Sequence, residues 1–311
     1  MPVLAWPILA WSALAWIPAT LLAAGAQVAR NGLQAGLVSE IGTLGATQVR
    51  FIFGLPFALA MLAAGRALLG EGSPAFTGEA IGFVLLGAVA QIAATALMLM
   101  AMARRTFGVA YAYIKTEPIL VALFGLILLG DRLAPLGWAG ILIATAGILL
   151  VSVDPRDWRA LVREWPPMAL GIAAGAGFGL SAVAFRGAIT GLGDGSAMNR
   201  ALTIMAVSLA IQTVLLGSWL LAFNRPAFIG SLRVWRQSLG AGFLGALATA
   251  GWFVAFSLTA AANVRTLALA EMPAAALVSR RVSGRALGAR EYGGIALVMA
   301  GIALMLSQAL G

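Results

Sequence analysis

Two glutamates inside apolar stretches are the residues of this sequence best placed to do chemistry. Glu117 and Glu271 lie in matching segments, 154 residues apart. An ionisable side chain at the centre of a bilayer costs at least about 2.5 kcal/mol, so such residues usually face a protein interior or a water-filled cavity. Glu117 falls about ten residues into a predicted helix, which at about 1.5 Å per residue is half-way across. We expect both carboxyl groups to contact a ligand; the alternative is that each pairs with an arginine and locks the interface between two repeats of the chain.

A polar stripe on the first predicted helix could bind an anion. Four residues recur at i, i+3, i+4 and i+7, on one face of an otherwise apolar helix: Gln27, Arg30, Asn31 and Gln34. Because arginine forms bidentate contacts with carboxylates, this inward face could offer donors to an anionic ligand. Two alternatives stay open. The stripe could hydrogen-bond to neighbouring helices, or Arg30 could extend to the membrane interface.

Four further polar or aromatic residues inside the apolar segments are candidates for the same kind of site: Arg50, Gln91, Tyr113 and Trp252. Arg50 stands at the start of the second predicted helix, where anchoring at the membrane interface is the favoured interpretation. Trp252 shares a helix face with Phe256, and aromatic residues so placed are more often packed in a core than aimed at a ligand.

The composition indicates that lipid is the solvent of this chain. Of 311 residues, 61% are hydrophobic and 10% charged, whereas soluble domains have roughly 25% charged residues. The 20 basic residues, 19 Arg and Lys115, sit mostly at the ends of apolar segments rather than in one patch, which argues against nucleic-acid binding. There is no Cys and no His, so thiolate nucleophiles, imidazole bases and the usual zinc or haem ligands are excluded. An enzyme is therefore disfavoured, and we expect no cofactor.

Ten apolar stretches, each of about the 20 residues that cross a bilayer, predict ten transmembrane helices. Their predicted cores are 10–34, 46–68, 79–102, 108–130, 136–152, 168–187, 198–223, 237–259, 265–283 and 290–308. Most connections are short, so consecutive helices should be antiparallel neighbours. The longest polar connection, 154–167, is interpreted as a linker, with a short amphipathic helix in the interface as the alternative.

The two halves of the chain repeat. An ungapped shift of 154 residues superposes one acid and three glycines on the same residue types: Glu117 on Glu271, Gly130 on Gly284, Gly140 on Gly294 and Gly147 on Gly301. At nearly the same offset Arg30 falls on Arg186, and Arg50 corresponds to Arg200. Five helices per half is an odd number, so the second half must enter the membrane from the opposite side. We predict an all-α integral membrane protein of ten transmembrane helices in two inverted five-helix repeats, 1–153 and 168–311, joined by the linker 154–167. Such inverted repeats are typical of secondary transporters.

The first repeat carries motifs of a known family. Thr116-Glu117-Pro118 is followed by the turn Asp131-Arg132-Leu133 and then by Gly140 and Gly147. This pattern resembles the EamA family of the drug/metabolite transporter superfamily, whose repeat has a Glu-Pro in its fourth helix, an acidic-Arg-Leu turn and a glycine-bearing fifth helix. The second copy departs from it, because Glu271-Met272-Pro273 inserts a residue before the proline and Arg285-Ala286-Leu287 lacks the acid.

The resemblance implies a ten-helix secondary transporter with a central cavity and alternating access. Its substrate would be a small metabolite such as an amino acid or an organic anion, and of the two directions we favour export. Its partners would be that substrate and the lipid bilayer, and the chain would act as a monomer or a homodimer. Protons are a candidate coupling ion, because a glutamate in a low-dielectric site can exchange protons near neutral pH. A non-transporting membrane scaffold or regulatory subunit is the alternative, and it would contain no wet cavity.

Charge placement and the resemblance disagree about orientation. The odd-numbered loops hold 14 of the 19 arginines, which by the positive-inside rule puts them in the cytoplasm and both termini outside. The resemblance implies the reverse. The preference for Arg over Lys, with abundant Ala and Gly, suggests a GC-rich bacterial genome and hence a bacterial cytoplasmic membrane.

Overall fold

The structure is a computed structural model that describes residues 14–104, 113–152, 165–271 and 288–309. Most of the predicted linker 154–167, the start of the fourth predicted helix and the segment 272–283 of the ninth lie outside these ranges. Every regular element within them is a helix. We number them in chain order: α1 Trp16–Ile52, α2 Gly54–Leu69, α3 Gly78–Arg104, α4 Glu117–Leu129, α5 Pro135–Ser152, α6 Trp165–Thr190, α7 Ala197–Phe223, α8 Arg225–Arg233, α9 Trp235–Leu258, α10 Ala261–Leu267 and α11 Ala289–Ala309.

The described helices are those of a membrane protein. Six helical stretches in the described ranges are long and apolar enough to cross a bilayer, and two shorter apolar helices, Glu117–Leu129 and Pro135–Val151, accompany them. The longest stretch, Trp16–Leu69, holds 54 residues, more than twice the roughly 20 that one crossing needs. The all-helical class is thereby confirmed and fits an integral membrane protein, whereas the number of ten crossings stays a prediction.

A bend at Gly42 divides α1 into two arms. Gly42 has φ 72° and ψ 169°, a left-handed φ that glycine adopts without a Cβ penalty. Gln34 Nε2 donates to the carbonyl oxygen of Ala46 at 2.8 Å. Residues twelve apart in a straight helix are about 18 Å apart along its axis, so the chain folds back at Gly42. The predicted end of the first helix at residue 34 is therefore wrong, since the helix continues to the bend.

The bend changes the position of Arg30. The sequence places Arg30 near a helix end and Arg50 at the head of the next helix, but both lie within α1 and are buried, with exposed fractions of 1% and 3%. An interfacial anchor keeps its charged head in water, so this burial argues against the anchoring interpretation for both. Arg265 is also buried. Without these three, the odd-numbered loops still carry most arginines, and the disagreement over orientation persists.

The fourth predicted helix is interrupted just before its acid. Residues 115–116 form a turn and α4 begins at Glu117, so a continuous helix through 108–130 is wrong at this point. Pro118 supplies the reason, because proline lacks an N–H and its ring clashes with the carbonyl four residues earlier. In the second half, α10 passes into a 3-10 turn, Ala268–Ala270, immediately before Glu271. Both acids therefore follow a break in regular α-helix.

The chain divides into two compact units, each containing helices from both halves of the sequence. The first unit is Met1–Ala88 with Ala184–Val264, and the second is Val89–Val183 with Arg265–Gly311. In the first unit α9 packs along both arms of α1. A Cβ on Gly251 would lie 2.8 Å from the carbonyl oxygen of Ala19, and one on Gly242 would lie 2.5 Å from that of Phe53. These glycines allow close backbone contact between the helices.

In the second unit α5 and α11 cross in backbone contact at four glycines. A Cβ on Gly140 would lie 2.7 Å from the carbonyl oxygen of Gly301, and a Cβ on Gly147 would lie 2.7 Å from that of Gly294. Residue numbers rise along α5 as they fall along α11, so the two helices are antiparallel. Small residues permit this distance of approach in membrane helix pairs.

In the first unit the loop after α2 is bonded to the start of α7. Glu71 Oε2 accepts from the backbone N–H of Ser196 at 2.9 Å, and Asn199 Nδ2 donates to the carbonyl oxygen of Gly72 at 2.9 Å. Arg66 donates to Thr203 Oγ1 at 3.2 Å. The Ser196 N–H bond holds the pKa of the Glu71 carboxyl below its usual range, because hydrogen bonds to the charged form favour it.

Glu71 gives a stability prediction with a defined pH dependence. The pKa of Glu71 is lower in the folded protein than in the unfolded chain. The Glu71 carboxylate therefore stabilises the folded state fully at any pH above the ordinary glutamate pKa of about 4.3. This stabilisation is lost as the pH falls below that value through the folded pKa. Glu71→Gln should lower Tm at pH 7, and its difference from wild type should shrink as the pH falls toward 3. Thermal unfolding of both proteins across pH 3–8 measures this. The exposed Glu40→Gln is the control, and a Glu71→Gln difference independent of pH would contradict the assignment.

Candidate functional site

The stripe on α1 faces the interior of the first unit. Arg30, Asn31 and Gln34 have exposed fractions of 1%, 2% and 0%. Arg30 Nη2 donates to Asn31 Oδ1 at 2.6 Å, which orients the guanidinium beside the amide. Gln27, at the outer end of the stripe, is half-buried. The expected inward orientation is therefore confirmed, and Gln34 also shows the expected alternative, a bond to a neighbouring helical segment, the arm beyond Gly42.

Arg50 lies next to Arg30 although the sequence assigned it to an interface. A Cβ on Gly245 of α9 would lie 3.3 Å from Arg30 Cδ and 3.7 Å from Arg50 Cγ. Both side chains therefore pass the same point on α9, where the lack of a side chain leaves room for them. The bend at Gly42 brings them together, because it folds the arm carrying Arg50 back on the arm carrying Arg30.

One aromatic candidate joins the same cluster. Trp252 Nε1 donates to Gln27 Oε1 at 3.1 Å, which links α9 to the outer end of the stripe. Trp252 and Phe256 are buried, and their ring centroids lie 6.4 Å apart with an interplanar angle of 20°. The structure thus places six predicted site residues in the first unit, in what we call the arginine cluster: Gln27, Arg30, Asn31, Gln34, Arg50 and Trp252.

The arginine cluster carries positive charge in a buried setting. Arg30 and Arg50 are the buried ionisable residues among those described in the first unit. The acidic residues described there are not buried: Glu40, Glu71, Glu79 and Asp194. Two guanidinium groups with neighbouring amide side chains are suited to binding a carboxylate or a similar planar anion.

A second cluster, which we call the charge quartet, lies in the second unit. Arg265 Nε lies 3.1 Å from Glu117 Oε1, and Lys115 Nζ pairs with Glu271 Oε1. All four residues are buried, and their formal charges cancel. Each ion pair joins an acid from one half of the sequence to a base from the other. The alternative interpretation, that each acid pairs with an arginine, therefore holds for Glu117, whereas the base paired with Glu271 is Lys115.

Two members of the charge quartet were not predicted as site residues. Lys115 is the chain's single lysine and lies two residues before Glu117, and this isolation could have drawn attention to it. Arg265 is six residues from Glu271, too far for an i, i+4 pair. Its partner is Glu117 instead, and the sequence holds no signal for a pairing between such distant positions.

The remaining predicted residues also lie in the second unit. Gln91 and Tyr113 are buried, and Thr95 Oγ1 donates to the main-chain oxygen of Gln91 at 2.8 Å. The structure therefore distributes the ten predicted site residues over two units, with Gln91, Tyr113, Glu117 and Glu271 in the second. Within the described ranges, no group of three or more His, Cys, Asp or Glu residues could hold a metal ion.

The counterpart of Arg30 in the second half has a different role. Arg186 Nη1 donates to the carbonyl oxygens of Phe256 and Thr259, both at 2.6 Å. These carbonyls end α9, where a cation stabilises the negative end of the helix dipole. Arg200, the counterpart of Arg50, is half-buried at the start of α7. The repeat in sequence is therefore not a repeat of side-chain contacts and burial at these two positions.

Comparisons with known proteins agree with the described helices. Residues 9–153 match the model of the EamA-like transporter family. A search of curated protein sequences finds no match. One solved crystal structure is similar with a TM-score of 0.66 and 17% sequence identity, covering 95% of this chain and 98% of that chain. At that identity the likeness shows the fold alone.

Proposed function

We propose that this chain, whose residues 9–153 match the EamA-like transporter family of the drug/metabolite transporter superfamily, is a secondary transporter of a small anionic or zwitterionic metabolite. The arginine cluster binds the substrate's carboxylate, and the substrate is exported by alternating access. The observation that carries this proposal is the convergence of Arg30 and Arg50, both buried, on Gly245. Intramembrane ionisable residues are costly, and they mark substrate pathways more often than lipid contacts.

The amide groups and Trp252 complete the site in this proposal. Asn31 holds one nitrogen of Arg30, so the guanidinium is oriented before a ligand binds, which reduces the entropy lost on binding. Gln27 and Trp252 are hydrogen-bonded to each other, and they form the amphipathic end of the site. A carboxylate at the guanidinium groups with an apolar or amino-bearing remainder near Trp252 describes an amino acid or an organic acid.

The inverted repeat that alternating access requires is supported by the crossing of α5 and α11. The 154-residue shift carries Gly140 to Gly294 and Gly301 to Gly147, so the pair of contacts maps onto itself when the halves are exchanged. Equivalent helices related by an axis along the membrane normal run in the same direction. Helices α5 and α11 run in opposite directions, which is the relation expected when the axis lies in the membrane plane.

The charge quartet is the proposed coupling element. Its two ion pairs fasten the halves of the sequence to each other, so a change of conformation that separates the halves must break them. A proton on either Glu117 or Glu271 would weaken its pair, and this is how protons would drive export.

The test of the substrate site is ligand binding followed by thermal unfolding. Purified protein is screened against amino acids and small organic acids, because a ligand that binds the folded state raises Tm by mass action. We expect a carboxylate to raise Tm of the wild type, and Arg30→Gln to raise the dissociation constant at least about 30-fold, since truncating one member of a buried charge pair costs roughly 2–5 kcal/mol.

Two variants act as controls for this test. Arg132 is exposed after α4, so Arg132→Gln should keep the full rise in Tm. Arg30→Lys keeps the positive charge but lacks the planar guanidinium, so it should bind the carboxylate weakly. If no carboxylate raises Tm, or if Arg30→Gln and Arg30→Lys both bind like the wild type, the arginine cluster is not the site. A non-transporting scaffold would then account better for the buried charges.

A further inference from the structure

A cavity away from both clusters lies in the first unit, beside the bend of α1. Its volume is about 580 Å³, within the range of about 300–1,000 Å³ typical of ligand sites. The lining side chains come from the bend and from the short helix α8: Glu40, Ile41, Arg225, Pro226, Ile229 and Arg233. Close packing joins these two elements, because a Cβ on Gly45 would lie 3.2 Å from the carbonyl oxygen of Ala227.

The position of α8 in the chain puts it at a membrane surface. It is nine residues long and stands directly between α7 and α9, both apolar enough to cross the bilayer. The chain therefore leaves and re-enters the membrane at α8. Large apolar side chains at and beside α8 are exposed, namely Phe223, Ile229, Leu232 and Trp235. A short helix with cations at its ends and exposed apolar side chains is typical of one lying in the interface, and tryptophan is enriched there.

The charges of the cavity fit a singly charged anion. Arg225 and Arg233 are exposed, and neither side chain is hydrogen-bonded or ion-paired to a residue in the described ranges. Glu40 is exposed on the same lining. Two arginines and one glutamate give a formal charge of +1, which matches a phosphodiester. Arginine presents donors in a planar fork that suits phosphate oxygens.

The geometry points to a binding site for the phosphodiester headgroup of an anionic phospholipid, formed by Arg225 and Arg233 against the bend of α1. The exposed apolar side chains of α8 and Trp235 lie where the glycerol backbone and the first acyl carbons would rest. Free phosphate could use the arginines but not this apolar surface. A bound headgroup would bridge α8 and the bend at Gly42, and so would stabilise the fold-back that brings Arg50 to Arg30.

The test compares lipids with different headgroups on the full chain in detergent. Phosphatidylglycerol, phosphatidylcholine or inorganic phosphate is titrated at constant ionic strength, and Tm is measured. Phosphatidylglycerol should raise Tm of the wild type, and the other two should not. In the double variant Arg225→Gln/Arg233→Gln the midpoint of the phosphatidylglycerol titration should rise about 30-fold, because each arginine near an anionic surface contributes roughly a fivefold factor.

Two further variants sharpen the result. Glu40→Gln removes a negative charge from the lining, so its midpoint should fall, in the direction opposite to the double variant. Arg132→Gln removes an exposed arginine elsewhere and should titrate like the wild type. Equal shifts with the two phospholipids, an unchanged midpoint in the double variant, or reproduction of the shift by inorganic phosphate would each overturn the assignment. Binding here is independent of Arg30, so Arg30→Gln should keep its response to phosphatidylglycerol.

Discussion

Replacing Lys115 by Met is expected to destabilise the folded protein by about 3–5 kcal/mol, the usual cost of removing one partner from a buried ion pair. Lys115 pairs with Glu271, and both side chains are buried. The substitution keeps most of the side-chain volume but leaves the carboxylate of Glu271 without this cation in a region of low dielectric. Reversible unfolding in mixed micelles, with detergent composition as the denaturant, measures the loss.

A second substitution tests whether the loss comes from the charge. Lys115→Met/Glu271→Met removes both members of the pair, and replacing a buried ion pair by apolar side chains is often neutral or stabilising. The double variant should therefore recover most of the stability lost by Lys115→Met. The coupling energy from the double-mutant cycle then reports the pair itself. If the stability of Lys115→Met lies within about 1 kcal/mol of wild type and is no lower than that of the double variant, the ion pair does not stabilise the fold.

Replacing Gly294 by Leu is expected to abolish folding, while the same change at its neighbour Gly293 is expected to be tolerated. A Cβ on Gly294 would lie 2.7 Å from the carbonyl oxygen of Gly147, whereas a Cβ on Gly293 would meet nothing within 4 Å. The contact at Gly294 is with backbone, which cannot rotate away, so α5 and α11 must separate. Overpacking a tight contact costs about 1–3 kcal/mol and occasionally more, and a leucine extends the clash along the whole crossing.

Alanine substitutions give a graded form of the same comparison. Gly294→Ala should lower Tm by several degrees, and Gly293→Ala should leave it unchanged or raise it, since alanine favours a helix over glycine by about 1 kcal/mol. Size-exclusion chromatography separates folded from aggregated protein, and thermal unfolding ranks the variants that fold. Equal behaviour of the two glycines would contradict the backbone contact between α5 and α11.

The sequence was sufficient for the membrane class and for the inward orientation of the stripe, because both follow from local composition. A chain with 61% hydrophobic residues must place its apolar stretches in lipid, and a polar face on such a helix must turn away from lipid. Gln27, Arg30, Asn31 and Gln34 could be grouped because their helical spacing does not depend on distant residues.

The position of Arg50 could not be predicted because it depends on one bend. Gly42 is one of 38 glycines, and nothing in its neighbours marks it as the one with positive φ. Without the bend the two arms of α1 are separate helices, and Arg50 stands at a helix end. The partners in the charge quartet were missed for a similar reason, since they join residues from opposite halves of the chain.

Helix α8 was missed although its signals are present. Asn224 Oδ1 accepts from the N–H of Ala227 at 3.3 Å, and Pro226 occupies the first turn. Asparagine as an N-cap followed by proline is a helix start that sequence alone can indicate. The segment was assigned to a connection because its nine residues are too few and too polar to cross a bilayer.

Transport in proteoliposomes tests the central claim most directly. Vesicles containing the wild type, Arg30→Gln or Arg132→Gln are loaded with a carboxylate found by thermal shift, and its labelled form is followed across the membrane in counterflow. Wild type and Arg132→Gln are predicted to accumulate the label, and Arg30→Gln is predicted to match protein-free vesicles. Label movement by Arg30→Gln at the wild-type rate, or none by the wild type, would contradict a transporter whose substrate site is the arginine cluster.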